Sequence, residues 1–189
     1  MRCATAALTP AEIRAIASRI DRPVVLVGLM GVGKSTVGRK LAAMLGTHFV
    51  DADEAIEQAA TMRVAEIFER FGEDHFRDGE RRVIARLIEE GHGVIATGGG
   101  SFVNPATRAL ILQKAIAVWI DSDLDTLVER TGRRNDRPLL QNGDRAEILA
   151  RLARERAPFY AEAPIRVTSS DGPQQETARQ IIEAIDRWL

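Results

Sequence analysis

Gly28-Leu29-Met30-Gly31-Val32-Gly33-Lys34-Ser35 fits the pattern G-x-x-x-x-G-K-[ST] and lies between a short apolar run and a helical stretch, the context that pattern requires. Glycines let successive backbone N–H groups turn inward around an anion without a Cβ clash, and the helix that follows adds the positive end of its dipole. Lys34 brings a point charge to the β- and γ-phosphates of ATP, and the Ser35 hydroxyl suits Mg²⁺, which keeps most of its ligands as water and phosphate oxygen. Nucleotide binding is not yet a reaction: such a protein can hydrolyse ATP, pass its γ-phosphoryl group to a small molecule, or act as a switch.

Asp51 and Asp53 follow the next apolar run, Phe49-Val50. Read as a strand end, the two carboxylates are expected to face opposite sides and to hold separate jobs, one fixing a metal-bound water, the other accepting a hydrogen bond from an acceptor hydroxyl. The competing use of Asp53 is as the N-cap of the helix carrying Ile56. The run Val94-Ile95-Ala96 lacks an aspartate of the kind P-loop enzymes often place there, so Asp51 is the candidate metal-side carboxylate. Arg77 and Glu80 are i and i+3 on an expected helix, where Glu80 can hold the guanidinium in place; an ordinary surface pair is the alternative. Gly98-Gly99-Gly100 permits close approach of a ligand to the backbone.

The elements that must position these residues are legible in outline. Short apolar runs at 24–27, 49–50, 93–96, 116–120 and 165–167 alternate with helical stretches, which argues an α/β fold: a five-stranded parallel sheet with helices on both faces. In such sheets ligands sit beyond the carboxyl ends of the strands, where the glycine loop, Asp51, Asp53 and the three glycines all fall. Thr9, Pro10 and Glu12 form a capping-box helix start ahead of Ile13, Ile16 and Ile20, giving an N-terminal helical extension over 1–22 before a main domain over 23–189. The polar, arginine-rich stretch 131–145 reads as a lid. His48, His75 and His92 have no metal-ligand spacing and read as surface or loop residues, while Trp119 and Trp188 read as core.

Composition narrows the class. The 189 residues are 45% hydrophobic and 28% charged, which excludes a disordered, collagenous or membrane-embedded chain. With 26 basic and 27 acidic residues the net charge is −1, so no global field recommends nucleic acid or an anionic membrane as partner. Only Lys34, Lys40 and Lys114 are lysines; the other 23 basic residues are arginines, the side chain that forks onto planar carboxylates and phosphates. Genome base composition accounts for most of that excess. The lone Cys3 excludes an internal disulfide and a thiolate metal cluster and suits a reducing compartment. No apolar run approaches the ~20 residues of a spanning helix. The opening MRCATAALTP leads into a helix signature and not a cleavage region, so the cytoplasm is the expected compartment; a monomer is expected as well.

Taken together, GLMGVGKST, FVDADEAIE, GEDHFRDGE, ATGGGS, the stretch from Arg130-Thr131-Gly132 to Arg137-Pro138-Leu139-Leu140, and Arg154-Glu155-Arg156-Ala157-Pro158-Phe159-Tyr160 resemble the shikimate kinase family over nearly the whole chain from Pro23. The resemblance implies a three-layer P-loop kinase fold that transfers the γ-phosphoryl group of ATP to the 3-hydroxyl of shikimate, in the route to aromatic amino acids, with Mg²⁺ as cofactor. It further implies that Gly31, Val32, Gly33, Lys34, Ser35 and Thr36 hold the ATP phosphates, that Ser35 ligates Mg²⁺, and that Asp51 supports the ion through water. Asp53, Arg77, Gly99 and Arg156 would contact shikimate, the two arginines gripping its carboxylate and Asp53 its ring hydroxyls. Arg137 would close on the phosphates from the lid, and Arg130 would stack near the adenine; Lys34, Asp53 and Arg137 would be the catalytic set. Arg133 and Arg134 add charge to the lid beyond what many relatives carry. The loop 168–174 falls where relatives form the adenine pocket, without a clear motif match. Two rivals stand beside this reading: a small kinase for another hydroxylated acceptor, such as gluconate or a nucleoside monophosphate, and a nucleotide-responsive binding module without transfer.

Overall fold

The computed structural model describes residues 8–91, 93–132, 143–169 and 172–189. In chain order the elements are α1 (Pro10–Ala17), β1 (Val24–Val27), α2 (Lys34–Leu45), β2 (Phe49–Asp51), α3 (Ala52–Ala60), α4 (Val64–Glu89), β3 (Val94–Ala96), α5 (Pro105–Lys114), β4 (Ile116–Asp121), α6 (Leu124–Gly132), α7 (Arg145–Tyr160), β5 (Ile165–Thr168) and α8 (Gln174–Trp188). The five strands form one parallel sheet in the order β2-β3-β1-β4-β5.

Strand β1 is a run of four apolar residues because it lies at the centre of that sheet, and Val24, Val25, Leu26 and Val27 are all fully buried. Each such burial contributes about 1.5–3 kcal/mol. From β1 the chain crosses β3 to form β2, and from β3 it crosses back over β1 to form β4. The order therefore reverses between β1 and β3, and a crevice opens there beyond the carboxyl ends of the strands. The loops that leave these two strands are the glycine loop and the three-glycine turn. They are pulled together by Thr97, whose N–H and hydroxyl both donate to Leu26 O, at 3.2 and 3.0 Å.

At the sheet edge the pattern changes. Strand β5 alternates, with Ile165 and Val167 buried and Arg166 and Thr168 exposed, so one side of this edge strand meets solvent. Arg166 fills that side by stacking on the Trp119 ring, 4.3 Å from its centroid, and pairing with Asp121 at 2.6 Å. Trp119 is buried as expected, whereas Trp188, in the last turn of α8, is 42% exposed and not part of the core. Ile181, Ile182 and Ile185 provide the buried face of α8 instead.

Helix α1 begins with the capping box read from its sequence, Thr9 and Glu12 satisfying each other's backbone N–H groups. Its Ile13 and Ile16 belong to the main hydrophobic cluster, alongside residues of α2 and α8. Helix α4 is broken at Gly72, whose φ of 81° is left-handed. Ile67 from its first half and Phe76 from its second pack with Ile56 of α3 in a separate small cluster. His48 and His75 are exposed; His92 lies outside the described residues.

Candidate active site

The glycine loop has the backbone its sequence calls for. Gly28, Gly31 and Gly33 have φ of 138°, 90° and 92°, a region that residues with a Cβ avoid, and Gly33 is the left-handed N-cap of α2. Lys34, the first residue of that helix, is buried and folds back over the loop, its Nζ donating to Gly28 O at 2.8 Å and Leu29 O at 2.9 Å. Ser35 follows, half-buried, and Thr36 is exposed on the first turn. The loop, the helix N-terminus and the lysine together make an anion cradle.

Asp51 closes the far side of this cradle. Its Oδ2 accepts from Ser35 Oγ at 2.6 Å, and its Oδ1 accepts from Asp53 N at 3.0 Å, which makes Asp51 the N-cap of α3. The cap is thus Asp51, and not Asp53 as the competing sequence reading had it. The expected opposition of the two carboxylates has no basis in strand geometry, where residues two apart share a face. They separate because the chain turns helical at Ala52, putting Asp53 in the first turn of α3. There burial, then the negative charges of Asp51 and Glu80, push the Asp53 carboxyl from 3.8 up to about 6, against the pull of Lys34. Asp53 titrates near neutrality as a result, the range in which a carboxylate can both orient a hydroxyl and take its proton.

Arg77 comes from the second half of α4. Its Nη1 donates to Glu80 Oε2 at 2.7 Å, and Glu80 is fully buried, so this is not an ordinary surface pair. Burial opposes the Arg77 charge, yet the Glu80 and Glu73 carboxylates beside it together outweigh that and hold the guanidinium above its usual pKa. The Phe76 and Phe68 rings lie 5.2 and 5.8 Å from the guanidinium carbon. Arg156 comes from α7, 57 residues from its partner in the chain, and donates from Nη1 to Gly99 O at 3.0 Å.

The three-glycine turn is where these groups meet. A Cβ on Gly98 would stand 3.0 Å from Asp53 Oδ1 and 3.2 Å from Glu80 Oε1. On Gly99 it would press on Met30 N at 3.2 Å and Arg156 Nη1 at 3.5 Å, and on Gly100 it would overlap the Arg77 guanidinium. Asp53, Arg77, Gly99 and Arg156 are therefore brought to one place beside the glycine loop. Arg130, from α6, donates to Val32 O at 3.4 Å and Ser169 Oγ at 3.2 Å, bridging the glycine loop and the exit of β5. Arg137, with Arg133 and Arg134, lies outside the described residues.

Two members of the site carried no sequence assignment. Tyr160 OH donates to Gly99 O, and Ser101 Oγ donates to Glu80 Oε1. Tyr160 was within reach of spacing, since residues 156 and 160 share a helix face. Ser101 had no signal beyond its place after the glycines. Chemically, the arrangement offers an anion cradle, a pair of hard oxygen ligands, a carboxylate poised near neutrality and two forked cations from different helices.

The family model for shikimate kinase matches residues 30–186. The shikimate kinase of Novosphingobium aromaticivorans is 61% identical over 188 residues, covering 97% of each chain, and that of Rhodopseudomonas palustris is 50% identical over 186 residues, covering 98% of this chain and 92% of its own. Among solved structures, the shikimate kinase of Acinetobacter baumannii in complex with shikimate superimposes with a TM-score of 0.85 at 34% identity, covering 91% of this chain and 97% of that one.

Proposed function

The chain belongs to the shikimate kinase family, and from that premise we propose how its own residues carry the reaction. The activity is transfer of the γ-phosphoryl group of ATP to the 3-hydroxyl of shikimate, giving shikimate 3-phosphate and ADP. The observation that supports the residue assignments best is the meeting of Arg77 and Arg156, from α4 and α7, on one glycine turn next to an anion cradle. Two forked cations converging from different helices suit one carboxylate, whereas a nucleobase would call for neutral donors and acceptors.

Arg77 and Arg156 hold the shikimate carboxylate, Gly99 supports the ring, and Asp53 holds the ring hydroxyls and orients the 3-hydroxyl toward the phosphate. With a pKa near 6, Asp53 is ionised at neutral pH and is able to take the hydroxyl proton as the bond to phosphorus forms. Because the transition state for phosphoryl transfer is loose, positioning and charge neutralisation matter more than a strong base. Gly31 through Thr36 hold the ATP phosphates, and Lys34 turns its charge from the Gly28 and Leu29 carbonyls to the β- and γ-phosphates. Arg130 lies toward the adenine. Arg137 is assigned from sequence alone to the transferring phosphoryl group.

Ser35 and Asp51 fit Mg²⁺: a hydroxyl and a carboxylate oxygen 2.6 Å apart are hard donors, and no group of three or more His, Cys, Asp and Glu among the described residues could hold a metal on its own. When bound there, Mg²⁺ would supply positive charge to offset that of the β- and γ-phosphates. No described helix is long and apolar enough to cross a membrane. We take residues 1–22 as an extension to a kinase domain over 23–189, working as a monomer in the cytoplasm.

Arg156→Ala tests the assignment. It is expected to raise the shikimate KM at least about 100-fold, the loss of a charged pair worth about 3 kcal/mol, and to leave the ATP KM within about twofold. Equal loss of both substrates would contradict it.

A further inference from the structure

Two arginines can share one carboxylate only if their guanidinium groups stand at the right separation, and among the described residues no hydrogen bond or ion pair joins α4 to α7 directly. The turn between them does. Gly100 lies against the Arg77 guanidinium so closely that a Cβ has no room, and Gly99 O accepts from Arg156 Nη1. Each side of the turn is then tied down by a hydroxyl. On the α7 side, Tyr160 OH donates to the same Gly99 O that Arg156 uses, one helical turn after it. On the α4 side, Ser101 Oγ donates to Glu80 Oε1 while Glu80 Oε2 accepts from Arg77 Nη1.

Both hydroxyls are buried, with Tyr160 2% exposed and Ser101 fully enclosed. A hydroxyl in such a place costs free energy unless it is hydrogen-bonded, and apolar residues of the same shape would fill either space. The Tyr160 ring already packs on Trp119, centroids 5.9 Å apart, so a phenylalanine would keep that contact. Burial raises the phenol to about 12, and it remains a donor throughout the neutral range.

We propose that the 98–100 turn is a spacer setting the distance between Arg77 and Arg156, and that Tyr160 and Ser101 are positioning residues that fasten it to α7 and to α4. The inference rests on the reading that both arginines hold the substrate carboxylate. Tyr160 and Ser101 hydrogen-bond to Gly99 and Glu80 and not to the nucleotide cradle, so loosening the spacer falls first on carboxylate recognition and changes ATP binding little.

The test compares Tyr160→Phe, Ser101→Ala and Arg156→Ala on shikimate and on its carboxamide analogue, in which the carboxylate is replaced by a neutral amide. Tyr160→Phe and Ser101→Ala are each expected to lower kcat/KM for shikimate about fivefold, the worth of one hydrogen bond, with the ATP KM unchanged and the carboxamide affected less than twofold. An equal loss on acid and amide, or no loss on the acid, overturns the spacer. Ser101→Ala leaves a buried carboxylate oxygen without its donor; if that variant does not fold, Tyr160→Phe decides alone. Arg156→Ala separates the two levels: if it discriminates acid from amide while Tyr160→Phe does not, the spacer falls and the carboxylate reading stands. If Arg156→Ala does not discriminate, the carboxylate reading itself falls.

Discussion

Asp53 is held in the native protein at a cost, and Asp53→Asn should reveal it. The carboxyl is moved from 3.8 to about 6, chiefly by burial and then by the neighbouring charges of Asp51 and Glu80. The native state therefore binds the Asp53 proton more tightly than the unfolded chain does, and the stability of the free protein falls as pH rises through that window. Above it the cost is complete, about 2 pK units at about 1.4 kcal/mol each, or about 3 kcal/mol. Asparagine keeps the size and removes the charge, although its amide still loses water on burial. A gain of about 1–3 kcal/mol is expected at pH 8, which for a domain of this length raises Tm by about 2–10 °C. Thermal unfolding of the substrate-free protein at pH 8 and pH 5 measures it, and at pH 5 the gain should shrink by about half because native Asp53 is then mostly protonated. The same variant should lose about 100-fold or more in kcat, since the hydroxyl has lost its acceptor. A variant that melts at or below wild type at pH 8, or whose gain is the same at both pH values, refutes the reasoning.

Lys34→Ala should abolish turnover while the domain still unfolds cooperatively, because the main hydrophobic cluster does not include Lys34 and keeps its packing; steady-state rates and a thermal melt check both, and near-wild-type turnover would exclude the phosphate role. Gly100→Ala pushes a methyl group into the Arg77 guanidinium and should raise the shikimate KM about tenfold or more with the ATP KM unchanged. Gly79→Ala, on the same helix as Arg77 with open space around it, should leave kinetics unchanged and raise stability by about 0.5–1 kcal/mol in a denaturant titration.

The parts of the site carried by short-range pattern were legible in the sequence. Gly28 to Ser35 specify their own loop, and the apolar runs that place it are central strands whose burial on both faces shows as unbroken hydrophobicity. Arg77 and Glu80 were legible as a pair because one helical turn joins them, but only the fold makes Glu80 fully buried. Strand periodicity puts Asp51 and Asp53 on one face, so it gives no ground for opposing them; they separate because β2 ends at Asp51 and the chain turns helical at Ala52, and that boundary decides which side chain caps the helix. Tyr160 and Gly99 are 61 residues apart and Ser101 and Glu80 are 21 apart, so no local periodicity links them. Trp188 is exposed for the opposite reason: its hydrophobicity suggested core, but it is the last residue of α8, after the buried face of Ile181, Ile182 and Ile185 has ended.

Release of ADP from MgATP, followed in a coupled assay with and without shikimate, tests the central claim most directly. ADP formation is expected to depend on shikimate and to be elicited neither by gluconate nor by a nucleoside monophosphate. ADP release at the same rate without shikimate, or no release with it, would contradict the account.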